Sequence, residues 1–288
     1  MRCLRCLVMD VLATLRSTGI WLTACAFCCV LMLVALRLEV GMALAGADDG
    51  MTFDVAFTLG DYLLGYFAGC VPFTGGDDRA FAPPIGWFVF FLLLVVGLAR
   101  YPRESLRGFG QQVLIACGSR WTWWWAKCVW VAGSVLLFCA TALLVALLFS
   151  LIAGSGPSWS VSPDMLYLID FPWQELRGAP YDALSFMGAV VVVAISLGLF
   201  QLCLSFLFGT ISGVGASAGL LVASAFGVGP IGFCAFSMAA RCGAFVADGW
   251  LLAEAIAVCG VVAIASMLVG GIAFNRRRCF GSEDSLWV

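Results

Sequence analysis

Two short motifs in this 288-residue chain have the residue types and spacing of reactive sites. The segment Gly215–Gly219, with sequence GASAG, matches the G-x-S-x-G turn that carries the nucleophile of many hydrolases. Cys3 and Cys6 have the C-x-x-C spacing found in redox and zinc sites. The chain contains no histidine, so it cannot assemble a Ser-His-Asp triad or supply a histidine to a zinc site. We therefore interpret GASAG as small residues for close helix packing. For the two cysteines, acylation, redox sensing and simple packing at the membrane surface all stay open.

The residues needed to hydrolyse a nucleotide are also missing. Lys127 is the only lysine, and the sequence has no G-x-x-x-x-G-K-[ST] phosphate loop. No segment gathers acids, bases or metal ligands in the way that an active site requires. We therefore expect a protein that is not an enzyme and that binds no cofactor or metal. Any active process must draw its energy from another protein.

The composition excludes a water-soluble globule. Hydrophobic residues make up 63% of the chain and charged residues 11%, and the mean hydropathy is +1.05. A soluble domain has about 25% charged residues and about 45–50% apolar ones. With a net charge of -2 and basic residues spread along the chain, no nucleic-acid surface is expected. The sequence predicts one all-α integral membrane domain over residues 1–288, surrounded by membrane lipid.

Runs without a charged residue locate the membrane spans. A helix needs about 20 apolar residues to cross roughly 30 Å of hydrocarbon. The longest uncharged run, 183–240, can hold two crossings with a break in its Gly- and Ser-rich stretch 209–219. The sequence thus predicts six spans, at residues 18–36, 81–99, 128–153, 184–208, 210–232 and 250–274.

The basic residues orient these spans. With both termini in the cytoplasm, eleven of the fifteen basic residues lie on the inner side, as the positive-inside rule requires. The stretch Ala56–Phe73 is a seventh apolar candidate, but a full crossing there would move the basic segment 100–127 outside. We therefore interpret Ala56–Phe73 as a re-entrant or interfacial helix on the outer face.

The N-terminal residues have the pattern of an amphipathic helix. Apolar side chains from Leu4 to Leu15 recur every three or four residues, while Arg2, Arg5 and Arg16 lie off that face. This pattern predicts a cytoplasmic surface helix that precedes the first span. The alternative is a simple extension of that span.

The longest cytoplasmic segment, 100–127, lies between the second and third spans. Pro102 can begin a helix there, and the apolar run Val113–Ile115 follows two glutamines. A solvated loop does not explain that apolar run, so we expect a partner protein to pack on it. At the end of the segment we expect membrane-interface anchors. These are Trp121, Trp123, Trp124, Trp125 and Lys127.

Spaced residues within 55–130 resemble the ABC-2-type permeases, the membrane subunits of bacterial ATP-driven exporters. The matching residues are Asp61-Tyr62-Leu63-Leu64, Gly69, Phe73, Pro84, Trp87, Tyr101-Pro102, Gly108-Phe109-Gly110-Gln111-Gln112, Ser119-Arg120, Trp123-Trp124 and Lys127. The resemblance implies a six-span permease of the bacterial cytoplasmic membrane that works by alternating access. It also implies two partners, a separate ATPase and a second permease subunit, which is either a copy of this chain or a paralogue.

The resemblance further implies roles for individual segments. Residues 103–119 would form a coupling helix that docks on the ATPase, and Leu4–Leu15 would form a connecting helix beside it. Phe233–Asp248 would correspond to a re-entrant segment before the last span. The coupling residues would be Arg103, Arg107, Gly108, Gly110, Gln111, Gln112, Val113, Leu114, Ser119 and Arg120.

Few polar side chains lie within the predicted spans. Gln201 is a candidate for the transport pathway, and the apolar surroundings are compatible with a lipidic or peptide cargo. Glu254 has three alternatives: it lines the pathway, pairs with Arg241 or extends to water. Cys70 and Cys242 are both predicted outside, which leaves one disulfide open. The competing function is a membrane scaffold, immunity or assembly protein that transports nothing.

Overall fold

The computed structural model describes most of the chain, with gaps. The described residues are 2–46, 56–72, 83–104, 119–169, 171, 176, 178, 180–227 and 232–276, of which 2–13 and 100–104 are described by their backbone alone. In these ranges the α-helices are α1 (Arg2–Ala45), α2 (Leu59–Phe67), α3 (Ile85–Glu104), α4 (Arg120–Ile152), α5 (Pro163–Leu168), α6 (Ala183–Phe208), α7 (Thr210–Phe226) and α8 (Leu252–Arg276). Two 3₁₀ helices cover Phe233–Ser237 and Ala239–Arg241, and the strands are β1 (Ser160–Val161) and β2 (Tyr181–Asp182).

Within the described residues, four helices are long and apolar enough to cross a membrane. They are Thr14–Ala45 within α1, and α4, α6 and α8 in full. Two shorter apolar helices, Ile85–Ala99 within α3 and all of α7, occupy the second and fifth predicted spans. The prediction of an all-α membrane protein is compatible with this architecture, because helices satisfy their own backbone hydrogen bonds inside lipid.

The first helix differs from the prediction of a separate surface helix. The backbone of α1 is helical without interruption for 44 residues, a rise of about 66 Å at about 1.5 Å per residue. Residues 2–18 contain neither proline nor glycine, so nothing in this stretch interrupts the helix. The N-terminal segment is therefore an extension of the first span, the second of the two alternatives.

Two predicted span boundaries also need correction. The second helix begins at Ile85 and not near residue 81, directly after Pro83 and Pro84. The fifth helix ends at Phe226 and not at residue 232, because Gly227 takes a left-handed conformation with φ +79°. At 17 residues α7 rises about 26 Å, slightly less than the hydrocarbon thickness.

Contacts along α1 establish the directions of its neighbours. Trp21 stacks on Phe138 of α4. Further along α1, Arg37 reaches Ser155, which follows the end of α4, so α1 and α4 run parallel. Trp21 also donates a hydrogen bond to the Leu93 carbonyl of α3 at 2.9 Å. Met32, further along α1, lies beside the start of α3, so α1 and α3 are antiparallel.

The helices α6, α7 and α8 also alternate in direction along the chain. Ser196 of α6 donates to the Cys259 carbonyl of α8 at 2.9 Å, and nearer the far ends Phe206 lies against Phe274. These two helices are therefore parallel. The single residue Gly209, with φ +97°, reverses the chain between α6 and α7. These directions are the ones that six successive crossings would require.

The non-spanning elements gather at one end of the bundle. We call this end the cap; it contains residues 56–72, the described part of 154–182, and 232–250. β1 and β2 pair antiparallel in it, with Ser160 opposite Asp182. Helix α2 has nine residues and rises about 14 Å, too little to cross a bilayer, which agrees with its interpretation as a re-entrant or interfacial helix. The opposite end, where α4 begins and α8 ends, is called the base.

Candidate functional site

The base joins the start of α4 to the end of α8. Ser119 is the exposed residue before α4, and the Arg120 guanidinium donates a hydrogen bond to the Asn275 carbonyl at 3.0 Å. The last carbonyls of a helix lack partners within it and carry partial negative charge, so a cation there is stabilising. Arg120 therefore fastens the beginning of one helix to the end of another, 155 residues away in sequence.

Two tryptophans strengthen this junction by lying directly on the α8 backbone. Trp124 donates to the Met267 carbonyl at 2.9 Å, and a β-carbon added at Gly270 would overlap its ring. A β-carbon at Gly271 would lie 2.5 Å from the Trp121 ring. The two adjacent glycines thus allow both rings to approach α8 more closely than any larger residue would permit.

Three of the predicted interface anchors are inside the bundle. Trp123 and Trp124 are fully buried and Lys127 is 1% exposed, whereas Trp121 and Trp125 are 39% and 43% exposed. Trp123 stacks on Phe274 at 4.7 Å between ring centroids, and the Lys127 ammonium lies 4.7 Å from the Trp123 ring centroid. The expectation of lipid anchoring is therefore wrong for Trp123, Trp124 and Lys127. Helical spacing places these three on one face, and that face packs against other helices.

Most of the predicted coupling segment lies outside the described residues. This applies to Arg107, Gly108, Gly110, Gln111, Gln112, Val113 and Leu114. Arg103 lies in the last turn of α3, where only the backbone is described. Of the predicted coupling residues, Ser119 and Arg120 are described with their side chains. Cys3 and Cys6 lie in the backbone-only part of α1, and their alternatives stay open.

The candidate pathway residue Gln201 connects two helices. Its side chain is 2% exposed, and its amide nitrogen donates to the Val95 carbonyl of α3 at 2.7 Å. The GASAG motif lies within α7 and not at the strand-to-helix turn of a hydrolase. No atom lies within 4 Å of a β-carbon added at Gly215 or Gly219, so these two glycines do not make the predicted close helix contact within the described residues. Close approach to α6 occurs at Gly213.

The cap contains a fully buried carboxylate, Asp61. It accepts hydrogen bonds from the backbone and the hydroxyl of Thr58 at 2.8 and 3.0 Å, and from the Ser162 backbone at 2.9 Å. The first belongs to a capping box at the start of α2, in which the Thr58 hydroxyl in turn accepts from the Asp61 backbone at 3.2 Å, and the third joins α2 to the segment after β1. Asp61 thus connects parts of the cap about 100 residues apart in sequence.

Arg37 connects α1 to the cap through polar and aromatic contacts. Its guanidinium donates to the Tyr62 hydroxyl and, at 3.4 Å, to the Ser155 hydroxyl. The same group lies 4.1 Å from the centroid of the Phe57 ring, within the range of a cation–π contact.

Arg241 is the buried cation of the cap. It donates to the carbonyls of Cys70, Ser224 and Ala225 at 2.8, 2.8 and 2.6 Å. Two of these carbonyls end α7, and the third follows α2, so one side chain joins three segments. Burial lowers the pKa of Arg241, while the neighbouring Cys70 opposes this shift.

The structure excludes one of the alternatives for Glu254, a pair with Arg241. Glu254 is exposed and accepts a hydrogen bond from the Leu251 backbone at 3.0 Å, so it lies at the start of α8 and does not pair with Arg241.

Cys70 and Cys242 are both free thiols, so the disulfide left open is not formed. Burial raises the pKa of each, that of Cys242 to about 11. The described residues contain no group of three or more Cys, Asp or Glu that could hold a metal ion.

We expect Asp61 to make stability depend on pH. Burial raises its pKa although its hydrogen bonds act in the opposite direction. Between the ordinary and the raised pKa the folded state binds more protons than the unfolded state, so stability falls as pH increases through that window. Thermal unfolding of the purified protein at a series of pH values should show a steeper decrease for the natural chain than for Asp61→Asn, which cannot ionise. Asp182→Asn, at an exposed position, is the control. Equal pH slopes for the natural chain and Asp61→Asn would contradict this account.

Comparison with known proteins adds no relative: no protein-family model, no curated protein and no solved structure matches this chain.

Proposed function

We propose that this chain is the membrane subunit of an ATP-driven exporter of the ABC-2 type. It would cross the bacterial cytoplasmic membrane six times, pair with a second permease subunit and move a lipidic or peptide cargo by alternating access. A separate ATPase would supply the energy, since the chain has no phosphate-binding loop.

The junction at the base is the observation that carries this proposal. The predicted coupling segment enters α4 at Ser119, and the next residue, Arg120, is bonded to the end of α8. Trp121 and Trp124 hold the same two helices together over a further turn. A force applied to the segment would therefore act on α4 and α8 at once, as rigid packed elements transmit displacement. Coupling of ATP hydrolysis to helix movement needs such a connection.

Two further features support six crossings. The backbone of α3 continues to Glu104, which extends that helix to 20 residues and about 30 Å. Helix α7 is shorter, but the one-residue reversal at Gly209 returns it beside α6 from the base toward the cap. Bilayers accommodate a short span by local thinning at modest cost.

The experiment is affinity purification of the tagged chain from its native membrane, followed by assay of ATP hydrolysis. We expect a vanadate-sensitive ATPase with a phosphate-binding loop to co-purify with the natural chain. The paired substitution Val113→Asp and Leu114→Asp should lower the recovered ATPase activity by about tenfold or more, the effect of about 1.4 kcal/mol at an interface. Ser158→Glu adds a charge at an exposed position in the cap and should leave recovery unchanged.

Two results would overturn the proposal. One is a natural chain that co-purifies with no ATPase, which would favour the scaffold, immunity or assembly function. The other is full recovery of ATPase activity with the paired aspartate variant, which would remove the coupling role of residues 113 and 114.

A further inference from the structure

Three buried polar side chains between α6 and α7 contain atoms without a hydrogen-bonding partner. They are the amide oxygen of Gln201 and the hydroxyls of Ser205 and Ser217. The three side chains are 2%, 5% and 0% exposed. Burying such an atom unpaired is costly, and a serine in a helix can usually donate to the carbonyl four residues before it. Three such atoms in one region require a physical explanation.

The geometry of the hairpin brings these side chains to one place. A β-carbon at Gly213 would overlap the Ser205 hydroxyl and would lie 3.1 Å from the Gln201 carbonyl, so Gly213 faces this part of α6. Ser217 follows Gly213 by about one turn on the same buried face of α7, and Gln201 precedes Ser205 by about one turn of α6. Because the two helices are antiparallel, Ser217 lies at the level of Gln201.

The chemistry of the three atoms is neutral and complementary to water. The Gln201 oxygen can only accept a hydrogen bond, whereas each serine hydroxyl can both donate and accept. The other end of the Gln201 amide is already bonded to the Val95 carbonyl, which holds the oxygen in a defined orientation. A buried water molecule typically makes two to four hydrogen bonds to groups that are otherwise unpaired.

We infer that α6 and α7 hold an ordered water molecule that donates to the Gln201 amide oxygen and bonds to the hydroxyls of Ser205 and Ser217. Glycine at position 213 lets the two helices approach closely beside the three unpaired atoms, because a β-carbon there would overlap the Ser205 hydroxyl. The water gives this hairpin a polar connection inside an otherwise apolar bundle. The inference does not depend on the proposed transport function, since it concerns the contact of two helices within the chain.

The sign of a stability change tests the inference. Ser217→Ala should lower the midpoint of thermal unfolding by about 2–4 °C, because it removes one of the bonds that hold the water. If the hydroxyl were simply unpaired, the same substitution would raise the midpoint, since an unpaired buried polar atom would disappear. Ser212→Ala, at an exposed position on α7, is the matched control and should leave the midpoint unchanged.

A double-mutant cycle tests whether the residues share one water. The effects of Gln201→Leu and Ser217→Ala should be less than additive if both remove bonds to the same molecule. A sodium ion bound to the same three oxygens would make the midpoint of thermal unfolding depend on sodium. We therefore expect no change in the midpoint when choline replaces sodium in the buffer. Additive effects, a higher midpoint for Ser217→Ala or a sodium-dependent shift would each overturn the inference.

Radiolytic labelling in oxygen-18 water supplies a readout independent of stability. We expect labelled oxygen in the peptides that contain residues 195–208 and 210–226 of the natural chain, and a loss of that label in Ser217→Ala. Absence of the label from the natural chain would also overturn the inference.

Discussion

Replacing Arg241 with leucine is expected to lower the free energy of unfolding by about 3 kcal/mol or more. Hydrogen bonds to a charged group contribute about 1.5–3 kcal/mol each, without strict additivity, and Arg241 makes three of them to carbonyls. Leucine would leave those oxygens buried without partners. We expect the largest change where α7 ends and the segment after α2 begins, because Arg241 joins these parts of the chain.

The measurement is equilibrium unfolding in mixed detergent micelles, followed by tryptophan fluorescence. Arg241→Lys retains the positive charge but not the planar arrangement of donors, so its stability should be intermediate. Arg16→Leu removes an exposed arginine from α1, away from both ends of that helix, and should change stability by less than about 0.5 kcal/mol. If Arg241→Leu unfolded at the same detergent composition as the natural chain, the three hydrogen bonds would not have the importance assigned to them.

Adding one methyl group at Gly270 is expected to destabilise the base by about 1–3 kcal/mol, the usual cost of overpacking. The new β-carbon would overlap the Trp124 ring, and that ring is held by its hydrogen bond to the Met267 carbonyl. To relieve the overlap, α4 and α8 must separate or Trp124 must lose its hydrogen bond. Under the proposed function, Gly270→Ala should also reduce transport more than it reduces ATP hydrolysis.

Gly260 provides a control on the same helix. No atom lies within 4 Å of a β-carbon added there, so Gly260→Ala introduces the same methyl group as Gly270→Ala but no overlap. Because alanine favours helix more than glycine does, Gly260→Ala should be neutral or stabilising. Combining Gly270→Ala with Trp124→Leu should cost less than the sum of the two substitutions. Equal stability of Gly270→Ala and Gly260→Ala, measured by the same detergent unfolding, would contradict the packing at the base.

The tryptophans around Trp123 show what the sequence can and cannot predict about the start of α4. The sequence places several tryptophans at the start of a span, where indole rings commonly meet the membrane surface. It does not show which face of α4 meets another helix. Gly270 and Gly271 decide that question, because they create the surface on which Trp121 and Trp124 lie. The small residues and the rings are separated by about 150 positions, so no local pattern connects them.

Local patterns also give only part of the contacts of the buried polar groups in the cap. The capping box of Asp61 with Thr58 has a recognisable local pattern, a threonine followed three residues later by an acid, but this pattern does not reveal the bond to Ser162. The sequence offers Arg241 as one alternative partner of Glu254, because opposite charges attract. The structure instead gives its hydrogen bonds to three carbonyls, since the end of α7 leaves backbone oxygens without partners inside its own helix.

By itself, the sequence determined the all-α membrane character and the lack of a phosphate-binding loop. It could do so because lipid excludes chains with many charges and because a contiguous motif that the sequence lacks cannot be supplied by folding. Only the tertiary structure decided which polar and aromatic side chains are buried and what they contact. Those contacts join residues 63 to 171 positions apart, and they depend on the rotation of each helix about its axis, which the packing of its neighbours sets.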